Sequence, residues 1–309
     1  MKYHKSIGVS LFIIFSVWSC QDSHEDPQPI SGGIVEVLAY NETFFTYNND
    51  TVKIDLDLKG LDETGIDILL LYKKFNSPNQ TSDWILHDSI VTASEIEGNT
   101  VYQNFIGSNG VAQRITYPGS IAVLQYDETQ LMKDAPETNI VDLPLSSSIS
   151  FHFKALKDGI VVAQNNPFTI EIKSVLEGNW IVIESIYGFN STGPRGNWNG
   201  NVKAIEALGG GIHTLSYLGP WEESAERVGK VYFKVELDNS ITILEEYNGK
   251  TLLAWGADSI ISCNEDISNL PCVNQLDRNE NGEFELSLVY GYKRTSGQRE
   301  FYEKLVKID

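Results

Sequence analysis

Two aromatic segments carry the most chemistry in this chain of 309 residues. One runs Tyr187-Gly188-Phe189-Asn190-Ser191-Thr192-Gly193-Pro194-Arg195-Gly196-Asn197-Trp198-Asn199-Gly200, the other Tyr217-Leu218-Gly219-Pro220-Trp221-Glu222-Glu223. Gly, Asn and Pro are turn residues, so the first reads as a long loop and the second as a strand end. A Trp in such a loop is hard to bury. Exposed Trp and Tyr rings offer flat faces to the C–H groups of a pyranose, while nearby Asn, Glu and Arg hydrogen-bond its hydroxyls. Tyr187, Asn197, Trp198, Tyr217 and Trp221 are therefore the candidate ligand-binding residues. The alternative is that Trp198 and Trp221 fold back as loop anchors or cap the end of a barrel. Trp180 and Trp255 stand inside apolar runs and read as core, as does Trp84.

Catalytic constellations are absent from the sequence: there is no Gly-x-Ser-x-Gly, no His-Glu-x-x-His and no phosphate-cradling glycine loop. The pairs Glu222-Glu223, Glu245-Glu246 and Glu300/Glu303 read as solvated faces or salt-bridge partners, because 42 acidic residues produce such pairs by chance. No enzyme activity, cofactor or metal is expected. Asp277-Arg278-Asn279-Glu280-Asn281-Gly282 has the alternating oxygens of a calcium loop, but Leu288 stands where that loop would place a bidentate Glu. A turn with Gly282 at positive φ explains the same residues. His24, His87, His152 and His213 show no paired spacing for zinc. In Arg299–Leu305 neither face is cleanly apolar, which suggests a buried ion pair or hydrogen-bonded tyrosine fixing the last strand.

The elements that must position these groups read as short strands throughout. Val52-Lys53-Ile54-Asp55-Leu56-Asp57-Leu58 alternates apolar with charged residues, giving one buried and one wet face. Lys157-Asp158-Gly159 reads as a hairpin turn, and 130–136 as a helical or loop excursion. No longer segment has helical periodicity, so the fold class is all-β. Residues 34–174 are expected to form an immunoglobulin or fibronectin type III-like sandwich. Residues 175–309 are expected to form a C-terminal antiparallel β-sandwich or lipocalin-like barrel; Gly178-Asn179-Trp180 resembles the Gly-x-Trp opening of lipocalins.

Residues 1–19 begin with Lys2 and Lys5 and continue into the apolar run Ile7–Trp18, which is a secretory signal and too short for a permanent span of ~20 residues. Ser19-Cys20 resembles the lipobox of bacterial lipoproteins, with Trp18 where that family places a small residue. The resemblance implies cleavage before Cys20 and an acyl anchor, palmitate-type, on its sulfur. Residues 20–33 follow as an acidic and then Pro/Gly-rich tether. Its Asp22-Ser23-His24-Glu25-Asp26 stretch resembles the export tag of Bacteroidetes-type surface lipoproteins. Loss of Lys2 and Lys5 takes the net charge from −19 to −21, which argues against nucleic acid as a partner. In an exported chain Cys263 and Cys272, nine positions apart, read as a disulfide.

The tail Tyr290-Gly291-Tyr292-Lys293-Arg294-Thr295-Ser296-Gly297-Gln298-Arg299-Glu300-Phe301-Tyr302-Glu303-Lys304-Leu305 resembles the closing motif of β domains in surface lipoproteins of starch-utilisation-type glycan importers. That resemblance implies a non-catalytic, cell-surface-exposed lipoprotein of the outer membrane that binds glycan. Its implied partners are a TonB-dependent importer and that importer's lipoprotein. A lipocalin-like small-molecule carrier and a structural or adhesive envelope protein are the alternative readings.

Overall fold

The structure is a computed structural model. It describes residues 35–308 except 49, 58–65, 79, 98–99, 109–111, 118–120, 136, 138, 190–196, 222–228, 255–257, 264–266, 268–269 and 296. The signal, the tether, Cys20 and Trp255 lie outside the described residues.

The chain is all-β apart from short helical turns. Its first half contains β1 (Glu36–Tyr40), β2 (Thr43–Thr46), β3 (Val52–Asp57), β4 (Ile68–Ser77), β5 (Gln80–Thr81) and β6 (Ile85–Glu97). Then come β7 (Thr100–Gly107), β8 (Ala112–Tyr117), β9 (Ile121–Tyr126), β10 (Ser148–Lys157), β11 (Ile160–Gln164) and β12 (Phe168–Ser174). Strands β1-β3-β9 form one sheet, and β2-β12-β10-β4-β6-β7-β8 form the main path of another, with β11 on β10 and β5 on β4. The strand β2 runs parallel to β12, while the other pairings are antiparallel.

The alternation seen in the sequence sets these faces. Val52, Ile54 and Leu56 are buried between Lys53, Asp55 and Asp57, and Leu69, Leu71, Phe75, Ile149, Phe151 and Phe153 join them in one core. Asp158 and Gly159 have φ of 50° and 77° and close the two-residue turn from β10 to β11. The excursion overlaps α1 (Glu128–Met132), which begins two residues earlier and is opened by a reciprocal capping box between Asp127 and Gln130. The buried Lys73 ammonium donates to the carbonyls of Leu131 (2.7 Å) and Lys133 at its end. Burial lowers the Lys73 pKa to about 8. Trp84, expected in the core, is instead 40% exposed.

The second half contains β13 (Gly178–Phe189), β14 (Val202–Gly209), β15 (Ile212–Leu215), β16 (Val231–Val235), β17 (Ile241–Ile243), β18 (Glu246–Tyr247) and β19 (Lys250–Thr251). It ends with β20 (Leu253–Ala254), β21 (Asp258–Ile261), β22 (Gln275–Arg278), β23 (Phe284–Arg294) and β24 (Gly297–Lys307). One sheet follows the order β17-β16-β15-β14-β13-β24-β23-β21-β20, with β22 on β23; β18 pairs with β19. Among the described residues the outer strands β17 and β20 do not pair, so this sheet remains open. Its interior is filled by Trp180, Phe233, Leu286, Leu288, Tyr290 and Phe301, each fully buried. Complete burial of one such side chain contributes about 1.5–3 kcal/mol. The Trp180 indole N–H donates to the Leu176 carbonyl at 2.8 Å, which satisfies its one polar group.

The two cores divide between Ile170 and Leu176, and a glycine hairpin joins them. Gly209, Gly210 and Gly211 have φ of 85°, 62° and 72°, a run of left-handed backbone open to glycine. A Cβ on Gly209 would lie 2.3 Å from the Leu145 nitrogen. Residue 209 thus lets the segment 143–145 approach, with Pro144 bridging to Gly209 and the Gly210 N–H donating to the Leu143 carbonyl at 3.1 Å.

Candidate functional site

Three buried side chains of the second half, Lys203, Trp198 and Tyr290, converge on Glu303. Alternation along β24 turns Phe301, Glu303 and Leu305 inward. Glu303 Oε1 pairs with Lys203 Nζ from β14 and accepts from the Trp198 indole N–H at 2.6 Å. Glu303 Oε2 accepts from the Tyr290 hydroxyl at 3.0 Å. Lys203 also donates to the Tyr217 carbonyl at 3.0 Å and lies 4.5 Å from the centre of the Tyr217 ring. Burial pushes the Lys203 pKa down, and the Glu303 carboxylate opposes that shift. Burial and the same carboxylate raise the Tyr290 pKa well above its ordinary value. The mixed inward face of the last strand is therefore a closed ion-pair and hydrogen-bond network.

The aromatic candidates gather beside it, around Phe301. Ring centres of Tyr187, Trp198 and Trp221 lie 5.4, 6.1 and 5.7 Å from the Phe301 ring. Tyr187 meets Trp221 edge-on at 5.8 Å. This placement corrects the expectation of exposure: Trp198 is 6% and Tyr217 7% exposed. Trp198 is held by the Ser185 hydroxyl on its backbone N–H and by Glu303 on its indole. Tyr217 is held by Lys203 and by its hydroxyl bond to the Val202 carbonyl at 2.9 Å. Tyr187 belongs to a strand instead of a loop, because β13 continues pairing with β24 through Phe189. Tyr187 and Trp221 are half-buried and Asn197 is exposed. Glu222 and Glu223 lie outside the described residues.

Sequence reasoning misses the cleft between the two halves. It holds about 450 Å³, within the range of small-molecule sites. Its walls combine Ile140, Val141, Leu143 and Ile212 with the hydroxyls of Thr46, Ser148, Thr169 and Ser174, the Tyr47 ring and the charges of Glu171 and Lys173. The Tyr47 hydroxyl donates to the Val235 carbonyl at 3.2 Å, crossing from the first half to the second. Across the floor, Ser174 Oγ lies 2.8 Å from His213 Nε2, and His213 Nδ1 lies 3.0 Å from the Gly211 carbonyl. A carbonyl accepts, so Nδ1 carries the proton and Nε2 accepts from Ser174. Burial lowers the His213 pKa to about 4, against the pull of that carbonyl. The imidazole is thus neutral near pH 7, and the pair ties the first half to the second. The signal that could have found the cleft is the triple glycine 209–211.

The remaining candidates have local explanations. Asn279 Oδ1 accepts from the backbone of Asn281 and Glu283, both at 3.0 Å, while Gly282 adopts φ of 80°. The calcium-like sequence is a self-satisfied hairpin turn. Among the described residues, no group of three or more His, Cys, Asp and Glu is placed to hold a metal, and no helix is long and apolar enough to cross a membrane. Cys263 and Cys272 form a disulfide, with Cα atoms 5.4 Å apart.

No family model and no curated protein matches the chain. A solved structure from Bacteroides ovatus, a protein of unknown function, aligns over 89% of this chain and 92% of its own. It is 11% identical, with a TM-score of 0.32.

Proposed function

We propose that this protein is a non-catalytic surface lipoprotein of the outer membrane that binds glycan beside an import complex. The anchor on Cys20 and the importer with its lipoprotein partner rest on the sequence resemblance alone. Binding rests on the cleft, where hydroxyl, carboxylate and ammonium groups stand beside apolar walls. A sugar presents that same combination, a rim of hydroxyls around C–H faces. Half-buried Tyr187 and Trp221, with exposed Asn197, form a secondary candidate surface; Trp198 and Tyr217 contribute to it by fixing its shape. A lipocalin-like carrier is not advanced, because side chains fill the interior around Trp180.

Calorimetry of the mature chain against a polysaccharide panel tests the proposal. Binding weakened by Glu171→Ala or Lys173→Ala, both exposed side chains, supports the cleft. Binding by none of the polysaccharides overturns the function, and binding that only Trp221→Ala impairs moves the site to the Phe301 cluster.

A further inference from the structure

We infer that the glycan surface continues out of the cleft along the outward face of β10 and β4 to Trp84, so that the ligand is an extended oligosaccharide. The inference rests on the proposed glycan binding and adds a second site to it. Ser148, Ser150 and His152 share one face of β10, and Ser148 and Thr169 also line the cleft. From Ser148 to His152 the strand rises ~13 Å, longer than one sugar ring.

The groups along this path change in a regular order. Next to the cleft, Asn76 Nδ2 donates to Ser150 Oγ at 2.9 Å and Ser148 Oγ at 3.4 Å, and Ser150 Oγ lies 2.8 Å from Thr169 Oγ1. Further along come three rings: His152 lies 6.5 Å from Tyr72 and 5.8 Å from Trp84. Ammonium groups flank them, Lys154 5.6 Å from the Tyr72 ring and Lys74 5.6 Å from the Trp84 ring. An amide-hydroxyl row leading to an exposed indole suits a chain whose hydroxyls and C–H faces are met in succession. Polar groups crowd the stretch next to the cleft, whereas a protein partner would favour the cross-strand apolar pair Val91 and Ile106, which are 49% and 59% exposed.

Calorimetry of the full mature chain with malto-, cello-, xylo- and manno-oligosaccharides, disaccharide to heptasaccharide, tests this. In the series that binds, affinity rises with length. Trp84→Ala, an exposed change that leaves the core intact, removes about two- to tenfold from the long members and leaves the disaccharide unchanged. Trp84→Tyr retains part of the gain. Binding that is independent of length or of Trp84 overturns the inference and leaves the cleft reading standing. Equal losses from Ile106→Ser overturn it in favour of a broad protein contact. Binding by none of the four series overturns this extension, and the polysaccharide panel then decides whether the function reading falls with it.

Discussion

Glu303 and Lys203, neither with any solvent exposure, pair across 100 residues of sequence inside the second core. A buried pair is costly to form, and removing one member strands the other. The carboxylate also holds the Trp198 indole and the Tyr290 hydroxyl, so its loss leaves three donors short of an acceptor. Glu303→Gln should destabilise the fold by about 3–5 kcal/mol. Lys203→Met combined with Glu303→Leu should cost less than the sum of the single changes. Urea unfolding of Glu303→Gln, of the single changes Lys203→Met and Glu303→Leu, and of their combination checks this; single-variant stabilities equal to that of the parent would refute the network.

Acid should weaken the fold through two buried imidazoles. Burial lowers His213 to about 4 and His87 to about 3, with the charges of Lys73 and Lys133 adding to the latter. Both values lie below the ~6.5 of an unfolded His, so the unfolded chain takes protons that the native chain refuses. The stabilisation is complete above pH 6.5 and declines as pH falls towards 4 and then 3. It amounts to a few kcal/mol per group at most, by about 1.4 kcal/mol per pH unit. Urea midpoints between pH 7 and pH 4.5 should fall less steeply for His213→Gln than for the parent. Parallel slopes would remove His213 from the account.

Reduction should loosen the segment between β21 and β22. The bridge between Cys263 and Cys272 closes a short loop, worth about 3 kcal/mol or less by loop entropy. Alkylation followed by mass measurement should find no reactive thiol at either position until a reductant is added. Thermal unfolding should then shift downward by several degrees. Free thiols in the untreated protein would contradict the pairing.

The strands with strict alternation, such as Val52–Asp57, are legible because each residue's environment follows from period two. The turn at Asp158-Gly159 is legible because its chemistry is local. β8 is missed, since Ala-Gln-Arg-Ile-Thr-Tyr carries little apolar alternation. Trp198 defeats the loop argument for a physical reason: its indole is satisfied by a carboxylate 105 positions away, and no local window contains that partner. Glu303 itself is half legible. The mixed faces of β24 announce a buried polar contact, but its partners on β14 and β23 depend on strand order. The cleft depends on how the two cores meet, and only the run of three glycines hints at it.

Those glycines separate backbone strain from contact between the halves. Ala at Gly209 or Gly210 meets a positive φ in either case, 85° and 62°, which costs roughly 1 kcal/mol for a residue with a Cβ. A Cβ on Gly210 meets nothing within 4 Å, whereas one on Gly209 would collide with the Leu145 nitrogen and the Pro144 backbone. These atoms belong to backbone and cannot swing aside as a side-chain tip can. Gly209→Ala must therefore push the 143–145 segment away, breaking the Gly210 bond to Leu143 and widening the cleft. Gly210→Ala should lower stability slightly and leave the proposed glycan binding unchanged. Gly209→Ala should lower stability further, hasten proteolysis within 140–147 and weaken binding at the cleft. If the two variants proved equal in proteolysis and in binding, the contact at Gly209 would not be what shapes the cleft.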